Sequence, residues 1–234
     1  AQEAKVTVGL DIGSTSVKTV ALGARKGAGP RPVLGRHLAP IGGKPEPDVA
    51  EAIRIAVSAL PVPVHAVAMS VSGQWVVTRV VEMPTMKPAE IKQALPFEAQ
   101  RYLPFNIQDV VVDGVVLGPA DAAKSWVLVV AGKNDLLERR MAWVRQAGLS
   151  ITLIDVDALA LANGFLASQN GRRAEGTRAL MNVGAQFVNL VMFQGSSGGG
   201  GFLPPMPIER ERFDEIAHAA PNAGAEGGVI RRPK

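Results

Sequence analysis

Apolar side chains alternate with polar or small ones at the start of the chain. Over residues 5–12 the apolar positions recur every second residue, which is the spacing of a strand with one buried face. The same alternation returns over residues 17–22, after a turn of small and polar residues at 13–16. Two alternating runs joined by such a turn predict a β-hairpin.

Apolar residues at every third or fourth position predict helices in four places. These are residues 48–60, 88–102, 135–146 and 158–166. Asp48 is placed to cap the first helix, and Gly148 follows the end of the third. Pro96 lies inside the second helix, where we expect it to kink or split the helix.

Short apolar runs between these helices predict further strands. They lie at residues 64–71, 75–83, 110–117, 125–131 and 150–156. A second hairpin is predicted over residues 180–193. Residues 23–47 are typical of a long loop, with at most an edge strand near Val33 and Leu34. The alternation of strands and helices indicates an α/β fold that opens in the order βββ-α-β-α.

The composition is that of a globular protein with a hydrophobic core. Of the 234 residues, 47% are hydrophobic and 20% are charged, which excludes general disorder. The absence of cysteine excludes a disulfide framework and a thiolate metal site, and it fits a reducing cytoplasm. No run reaches the roughly 18 apolar residues of a membrane-spanning helix. The formal net charge is +4, but no lysine-rich stripe is interleaved with aromatics, so nucleic-acid binding is not expected.

Residues 195–234 differ in composition from the rest of the chain. A Gly/Ser run at 195–201 is followed by a Pro-rich patch and by one charged helical candidate at 209–219. The ending is rich in Gly, Ala, Arg and Pro. We therefore expect a linker and a mostly disordered tail.

The tip of the first hairpin carries the most informative polar pattern. Small residues at a hairpin tip can present several backbone N–H groups to one anion. The hydroxyls of Ser14, Thr15 and Ser16 would add donors, and Lys18 would bring a point charge to a phosphate oxygen. Asp11 could hold magnesium through a water molecule. The alternative is an ordinary Gly-Ser turn without a ligand.

The second hairpin repeats this shape at Asn182 and Gly184, so that two facing tips would clamp a polyphosphate. Asparagine cannot neutralise magnesium as a carboxylate does, which argues against metal-dependent hydrolysis. A repeated turn without a ligand explains the pattern about as well. Asp155 and Asp157 flank a strand-to-helix junction, where they are either carboxylates beside a catalytic water or, more commonly, helix N-caps.

Aromatic residues cluster in the proline-bounded run 95–105. Phe97, Tyr102 and Phe105, with Arg101 among them, have the composition of a peptide-docking groove. The alternative is a satellite core beneath a helix that ends at a proline. The sequence alone does not decide between the two.

Several of these motifs resemble known families. Residues 9–18, Gly-Leu-Asp-Ile-Gly-Ser-Thr-Ser-Val-Lys, resemble the first phosphate motif of the actin, Hsp70 and sugar-kinase superfamily. Residues 97–105, 111–118 and 155–163 together resemble the PilM family of type IV pilus assembly proteins. The resemblance spans residues 5–194.

The resemblance implies an actin-like (ribonuclease H-like) lobe with an inserted FtsA-type small α+β subdomain. The first lobe would cover residues 5–82, the small subdomain 83–150, and a return to the first lobe with the start of a second lobe 151–194. Residues 195–234 would be linker and tail. The second lobe would be incomplete, because a full family member continues beyond the second hairpin. A gene fragment or frameshift is slightly favoured over an engineered truncation or a degenerate paralogue.

The resemblance also implies a cytoplasmic scaffold at the inner face of the inner membrane. PilM-like proteins bind ATP between their lobes, here with magnesium near Asp11. They also bind the N-terminal cytoplasmic tail of the inner-membrane protein PilN, between the main and small subdomains, and they link pilus motor and platform components. By motif match, the phosphate-binding residues would be Asp11, Gly13, Ser14, Thr15, Ser16, Lys18, Asn182 and Gly184. Arg101, Tyr102 and Phe105 are the candidates for the tail groove.

Three other functions compete with a non-enzymatic scaffold. An ATP-dependent enzyme of the sugar-kinase branch would need an Asp base and the missing part of the second lobe. An FtsA-like cell-division protein would need an amphipathic membrane helix, and the charged segment 209–219 lacks a wide apolar face. The cytoplasmic domain of a type II secretion platform protein would need a transmembrane segment downstream.

Overall fold

A computed structural model describes residues 6–25, 30–42, 48–71, 76–168, 176–186 and 188–195. The strands are β1 Thr7–Ile12, β2 Ser16–Leu22, β3 Val33–Pro40, β4 Ala66–Val71, β5 Val76–Pro84, β6 Val110–Pro119, β7 Lys124–Lys133, β8 Ser150–Val156, β9 Gly176–Val183 and β10 Val188–Gly195. The helices are α1 Val49–Ser58, α2 Pro88–Ala99, α3 Asn134–Gln146 and α4 Asp157–Ser168, and a 3-10 turn covers Ile107–Asp109. Within the described ranges the strands form three sheets.

The largest sheet has five strands in the order β3-β2-β1-β4-β8. Strand β2 pairs antiparallel with both β1 and β3, as two successive hairpins require. Strand β4 pairs parallel with β1 and with β8, so the chain must cross over before each of these pairings. The predicted opening order βββ-α-β-α is confirmed as far as β4, after which the next element is a strand of another sheet, β5, and not a helix.

Helices α1 and α3 pack against this sheet in one hydrophobic core. Leu10 and Val17 of the first hairpin and Val67 of β4 are almost fully buried there. Ile53 of α1 and Val144 of α3 pack into the same core. Burying each such side chain contributes about 1.5–3 kcal/mol to the stability of the fold, so this core is the main source of stability for the first hairpin.

The ends of these two helices follow the local signals in the sequence. The Asp48 carboxylate accepts a hydrogen bond from the Glu51 amide at 2.9 Å and caps α1. Gly148 has φ +82° after α3, and its amide donates to the Arg145 carbonyl at 2.9 Å. The Leu149 amide donates to the Val144 carbonyl at 3.2 Å, which completes a Schellman motif. Both predicted helix ends are confirmed.

A second, three-stranded antiparallel sheet has the order β5-β7-β6. Helix α2 covers one face of it, where Leu95 packs with Met83 and Val127. Gly114 of β6 permits this approach, because a Cβ atom there would lie 3.0 Å from a Leu95 methyl carbon. The small sheet therefore has a core of its own.

The small sheet is inserted between β4 and α3. Its elements run from Val76 to Lys133, whereas α3 packs into the core of the large sheet through Val144, and Leu149 joins the same core just after the helix. The sequence predicts the small subdomain at 83–150. The division of the chain into domains stays a prediction, but by its contacts α3 lies with the large sheet.

The predicted second hairpin is present as β9 and β10, which pair antiparallel. Its Leu180 and Val191 side chains pack against Ala162 of α4. This contact places the hairpin beside the helix that follows the large sheet. It leaves the far end of the hairpin, at residues 183–188, exposed where its side chains are described.

Two expectations differ from the structure. The segment around Val33 and Leu34 is a full strand of eight residues, because backbone pairing with β2 supplies what the irregular local pattern lacks. Helix α2 runs through Pro96 without being split and ends at Ala99 instead of Tyr102. The burial of Leu95 and Ala99 against the small sheet offsets the hydrogen bond that the proline removes.

Several predicted features lie outside the described residues. These are the first five residues, the Trp75 start of the predicted strand 75–83, and the tail beyond 195 with its helical candidate at 209–219. None of the helices in the described ranges combines the length and the apolar character needed to cross a lipid bilayer.

Candidate functional site

The tip of the first hairpin is a tight turn fixed from two sides. The Gly13 amide donates to the Ser16 carbonyl at 3.0 Å and closes the turn. The Ile41 amide donates to the Thr15 carbonyl at 2.7 Å, so the segment after β3 holds the tip from the side. Ser14 and Thr15 are exposed at its end. The Gly13 amide is used inside the turn, so any anion at the tip would meet the two exposed residues.

Asp11 and Lys18 lie directly opposite each other across β1 and β2. The Lys18 Nζ atom donates to Asp11 Oδ2 at 2.8 Å, and the two side chains are 49% and 42% exposed. An exposed pair of this kind is worth at most about 1 kcal/mol, so Lys18 can leave it for a stronger partner at little cost. A Cβ atom on Gly13 would lie 3.3 Å from the Lys18 ammonium, so glycine at this position leaves room for the Lys18 side chain to move.

An open cleft of about 350 Å³ begins at this pair. It runs across the large sheet beside α4, and Asp155 of β8 lies along it. Its remaining lining is mostly apolar or small, namely Gly9, Leu10, Thr19, Val20, Ala68, Met69, Ser70, Leu153 and Ala160. A ligand there would meet charge at one end and an apolar floor along the rest.

Arg140 of α3 approaches the hairpin and was not singled out by sequence analysis. Its Nη1 atom donates to the Ile12 carbonyl at 2.8 Å, directly before the tip. Burial lowers the pKa of Arg140 from its ordinary value, while the negative charges of Asp157 and Asp11 oppose that shift. The Nε atom of Arg140 and the Oδ1 atom of Asp157 are buried without hydrogen-bond partners in the described part of the chain.

The two carboxylates at the strand-to-helix junction have different surroundings. Asp155 Oδ1 accepts from the Val156 amide at 2.7 Å, one residue before the helix begins. Asp157 is the first residue of α4, and its Oδ1 atom is buried without a hydrogen-bond partner among the described residues. Of the two, only Asp155 lines the cleft among the described residues.

The second hairpin lies apart from this cleft. Asn182 and Gly184 are exposed near the end of β9, and Asn182 pairs with Asn189 across the hairpin. The cleft is lined by residues of β1, β2, β4, β8 and α4, and the described residues of the second hairpin are not among them. A phosphate role for Asn182 and Gly184 stays a prediction.

The donor set near Asp11 limits what magnesium could do there. Among the residues that the structure describes, no three His, Cys, Asp or Glu side chains come together as a metal site. Asp11 is engaged with Lys18 at 2.8 Å. These residues fit a magnesium ion only if it is bound mainly by phosphate oxygens and its own waters, with Asp11 as an outer contact.

The three groove candidates lie at the connection from α2 to β6. Arg101 and Tyr102 are exposed there, with Arg101 at 71% and Tyr102 at 43%. Phe105 lies under Lys133, whose Nζ atom is 4.6 Å from the ring centroid. The Asn134 side-chain amide donates to the Gln108 carbonyl at 3.1 Å. Lys133 ends β7 and Asn134 begins α3, so this connection lies where the small sheet rejoins the large one.

Two solved structures share this architecture. One is a chain of the PilM-PilN type IV pilus biogenesis complex, with 22% identity over 93% of this chain and a TM-score of 0.68. The other is the cytoplasmic domain of EpsL, an inner-membrane component of the type II secretion system of Vibrio cholerae, with 14% identity over 97% of this chain and a TM-score of 0.56. The matches confirm the predicted actin-like α/β fold. This chain spans 66% of the first and 80% of the second.

A protein-family model also matches most of the sequence. The model of the family described as type IV pilus assembly protein PilM matches residues 9–197, which is most of the chain. The match includes both hairpins, the inserted small sheet and the cleft described above. The chain therefore belongs to the PilM family of type IV pilus assembly proteins.

Proposed function

We propose that this chain is a scaffold that binds the N-terminal cytoplasmic tail of a PilN-like inner-membrane protein. Family membership supports a role in pilus assembly, and one similar solved structure is a complex of PilM with PilN. A tail anchored in the inner membrane would hold the scaffold at its inner, cytoplasmic face. There the scaffold would link further motor and platform components of the pilus machine.

The observation that carries this proposal is the position of the α2–β6 connection. The Lys133 Nζ atom lies 4.6 Å from the centroid of the Phe105 ring, and the Asn134 side-chain amide donates to the Gln108 carbonyl at 3.1 Å. These two contacts connect the α2–β6 segment to the β7–α3 junction. Arg101 and Tyr102 belong to the same connection, and both are exposed. A bound tail would contact both sheets there, and aromatic and arginine side chains are the usual anchors of such contacts.

The first test measures binding of a labelled tail peptide by fluorescence anisotropy, without nucleotide. Replacing Arg101, Tyr102 and Phe105 together with alanine should weaken binding by about tenfold or more, the effect of losing one strong anchor. Trp126→Ala is the control, because Trp126 is an aromatic residue of β7 that is 40% exposed and lies outside the α2–β6 connection. A scrambled peptide should not bind.

The outcomes separate the site from the partner. Unchanged affinity in the triple variant would reject this groove while leaving the partner in place. No binding to a chain that circular dichroism shows to be folded would reject the partner itself. The remaining description would then be an actin-like fold without a known partner.

We further propose ATP as a second ligand, with its phosphates at the first hairpin. The supporting observation is that the half-exposed Lys18 and the exposed residues Ser14 and Thr15 belong to the same end of the first hairpin. Magnesium would enter with the phosphates and lie near Asp11. The matching test is calorimetry with ATP, in which Lys18→Met should weaken binding by about tenfold, the loss of one charged contact. The rival sugar-kinase function predicts phosphoryl transfer to a polyol, and no transfer is expected.

A further inference from the structure

Arg140 connects helix α3 to the first hairpin over a long stretch of sequence. Its hydrogen bond to the Ile12 carbonyl joins residues 128 positions apart. Its Nε–H is buried without a partner among the described residues. Leaving such a donor unpaired costs about 1–3 kcal/mol, so stability alone is a poor reason for an arginine at this position.

Two carboxylates from different elements act electrostatically on this guanidinium. Asp157 at the start of α4 has the stronger electrostatic interaction with Arg140, and Asp11 of β1 has the weaker one. Asp11 is also paired with Lys18 at 2.8 Å. Asp11 is thus directly paired with Lys18 at the cleft, while the mostly buried Arg140 acts on it through longer-range electrostatics.

We propose that Arg140 is a positioning residue of the phosphate site. It fixes the tip of the hairpin through Ile12, and it keeps Asp11 compensated when Lys18 turns from Asp11 to a phosphate oxygen. This inference rests on the proposed nucleotide binding. Lys18 is free to move because its pair is exposed, whereas the hydrogen bond to Ile12 holds Arg140 in place. Without Arg140, moving Lys18 would leave Asp11 without a counter-charge beside an incoming anion, which is unfavourable.

The positioning of the tip is tested by amide hydrogen exchange, without any ligand. In Arg140→Met, exchange of the Ile41 amide and of the tip amides should speed up by about fivefold to tenfold, the effect of one lost hydrogen bond. Arg139→Met is the matched control, because Arg139 is the neighbouring arginine of α3 and is exposed. It should leave these exchange rates unchanged.

The charge role is tested by ATP titration in EDTA, which removes any contribution of magnesium. Arg140→Met should bind ATP about tenfold more weakly than the parent chain, and Arg140→Lys should fall between them because it keeps the charge but not the forked donor. Adding Asp11→Asn to Arg140→Met should restore affinity to within about threefold of Asp11→Asn alone, because the uncompensated carboxylate is gone. A merely structural role predicts no such rescue, and it predicts weaker tail-peptide binding in parallel.

Each result has a defined meaning. Unchanged exchange at the tip in Arg140→Met, or a loss of ATP affinity that Asp11→Asn does not relieve, would overturn the inference. If the parent chain binds no ATP, the proposed nucleotide function fails, and the exchange result alone decides whether Arg140 positions the tip. If Arg140→Met does not fold, Arg140→Lys carries both measurements, with the tip protected and ATP affinity reduced by less than about tenfold as the supporting result.

Discussion

The ammonium group of Lys133 lies over the ring of Phe105, 4.6 Å from its centroid. Lys133 is the last residue of β7, and Phe105 lies in the connection from α2 to β6. The contact therefore joins the aromatic segment to the point where the chain leaves the small sheet. It gives the candidate groove a fixed wall without using Arg101 or Tyr102.

A double-mutant cycle should detect this contact. Lys133→Met and Phe105→Leu each remove one partner while keeping an apolar side chain, and the coupling free energy between them should be about 0.5–1 kcal/mol. Urea unfolding of the parent, the two single variants and the double variant measures it. Strict additivity would mean that the two groups are merely near each other.

The buried hydroxyl of Thr19 should contribute to stability. Its Oγ1 atom donates to the Ala56 carbonyl at 2.9 Å and ties β2 to α1. Thr19→Val keeps the shape but leaves that carbonyl without its donor, so the free energy of unfolding should fall by about 1–2 kcal/mol. Thr7→Val is the control, because Thr7 is exposed on β1 and should change stability by less than about 0.5 kcal/mol. Equal losses in both variants would contradict this.

Two glycines should respond to alanine in opposite directions. Gly148 ends α3 with φ +82°, a conformation that costs alanine about 1 kcal/mol. Gly164 is inside α4, and a Cβ atom there would meet none of the described residues within 4 Å. Gly164→Ala should therefore stabilise the chain by up to about 1 kcal/mol. Thermal unfolding of both variants measures the direction of each change in stability. A destabilising Gly164→Ala would contradict the prediction, because it would mean that the added methyl group meets a neighbouring residue.

The cap of α1 should be worth about 1 kcal/mol. Asp48→Ala removes the acceptor that the Glu51 amide uses at 2.9 Å, which typically costs about 0.5–2 kcal/mol. Asp48→Ser retains a capping oxygen and should lose much less. Chemical denaturation of the three proteins provides the comparison, and equal losses for alanine and serine would assign the effect to charge instead of capping.

The sequence was sufficient wherever the signal is local. Asp48 and the amide that it caps are three residues apart, and Gly148 ends the helix directly before it. The alternation in β1 and β2 likewise predicts their pairing without knowledge of the rest. Such features depend on interactions within one or two turns, which is the distance that a sequence pattern can represent.

Features that depend on distant contacts were predicted less well. For β3 the sequence predicts at most a short edge strand, because Gly35 and Arg36 interrupt the apolar pattern. In the structure, pairing with β2 extends this strand to Pro40. Arg140 has the pattern of a surface arginine on an amphipathic helix, and only the tertiary fold brings it to Ile12. For the same reason, the sequence suggests two hairpin tips that face each other, but it does not predict the position of β9 in the fold.

The insertion of the small sheet has a consequence for the order of folding. The Ser150 amide and hydroxyl both bond to the His65 carbonyl, and the two residues are 85 positions apart. Closing a flexible loop of that length costs conformational entropy before any contact repays it. Strands β6 and β7 are neighbours in the chain, joined by a turn in which Asp121 accepts from the Ala123 amide at 2.7 Å. We expect this local pairing to form early and to shorten the loop that β4 and β8 must close, so the inserted sheet acts as a folding nucleus for its host.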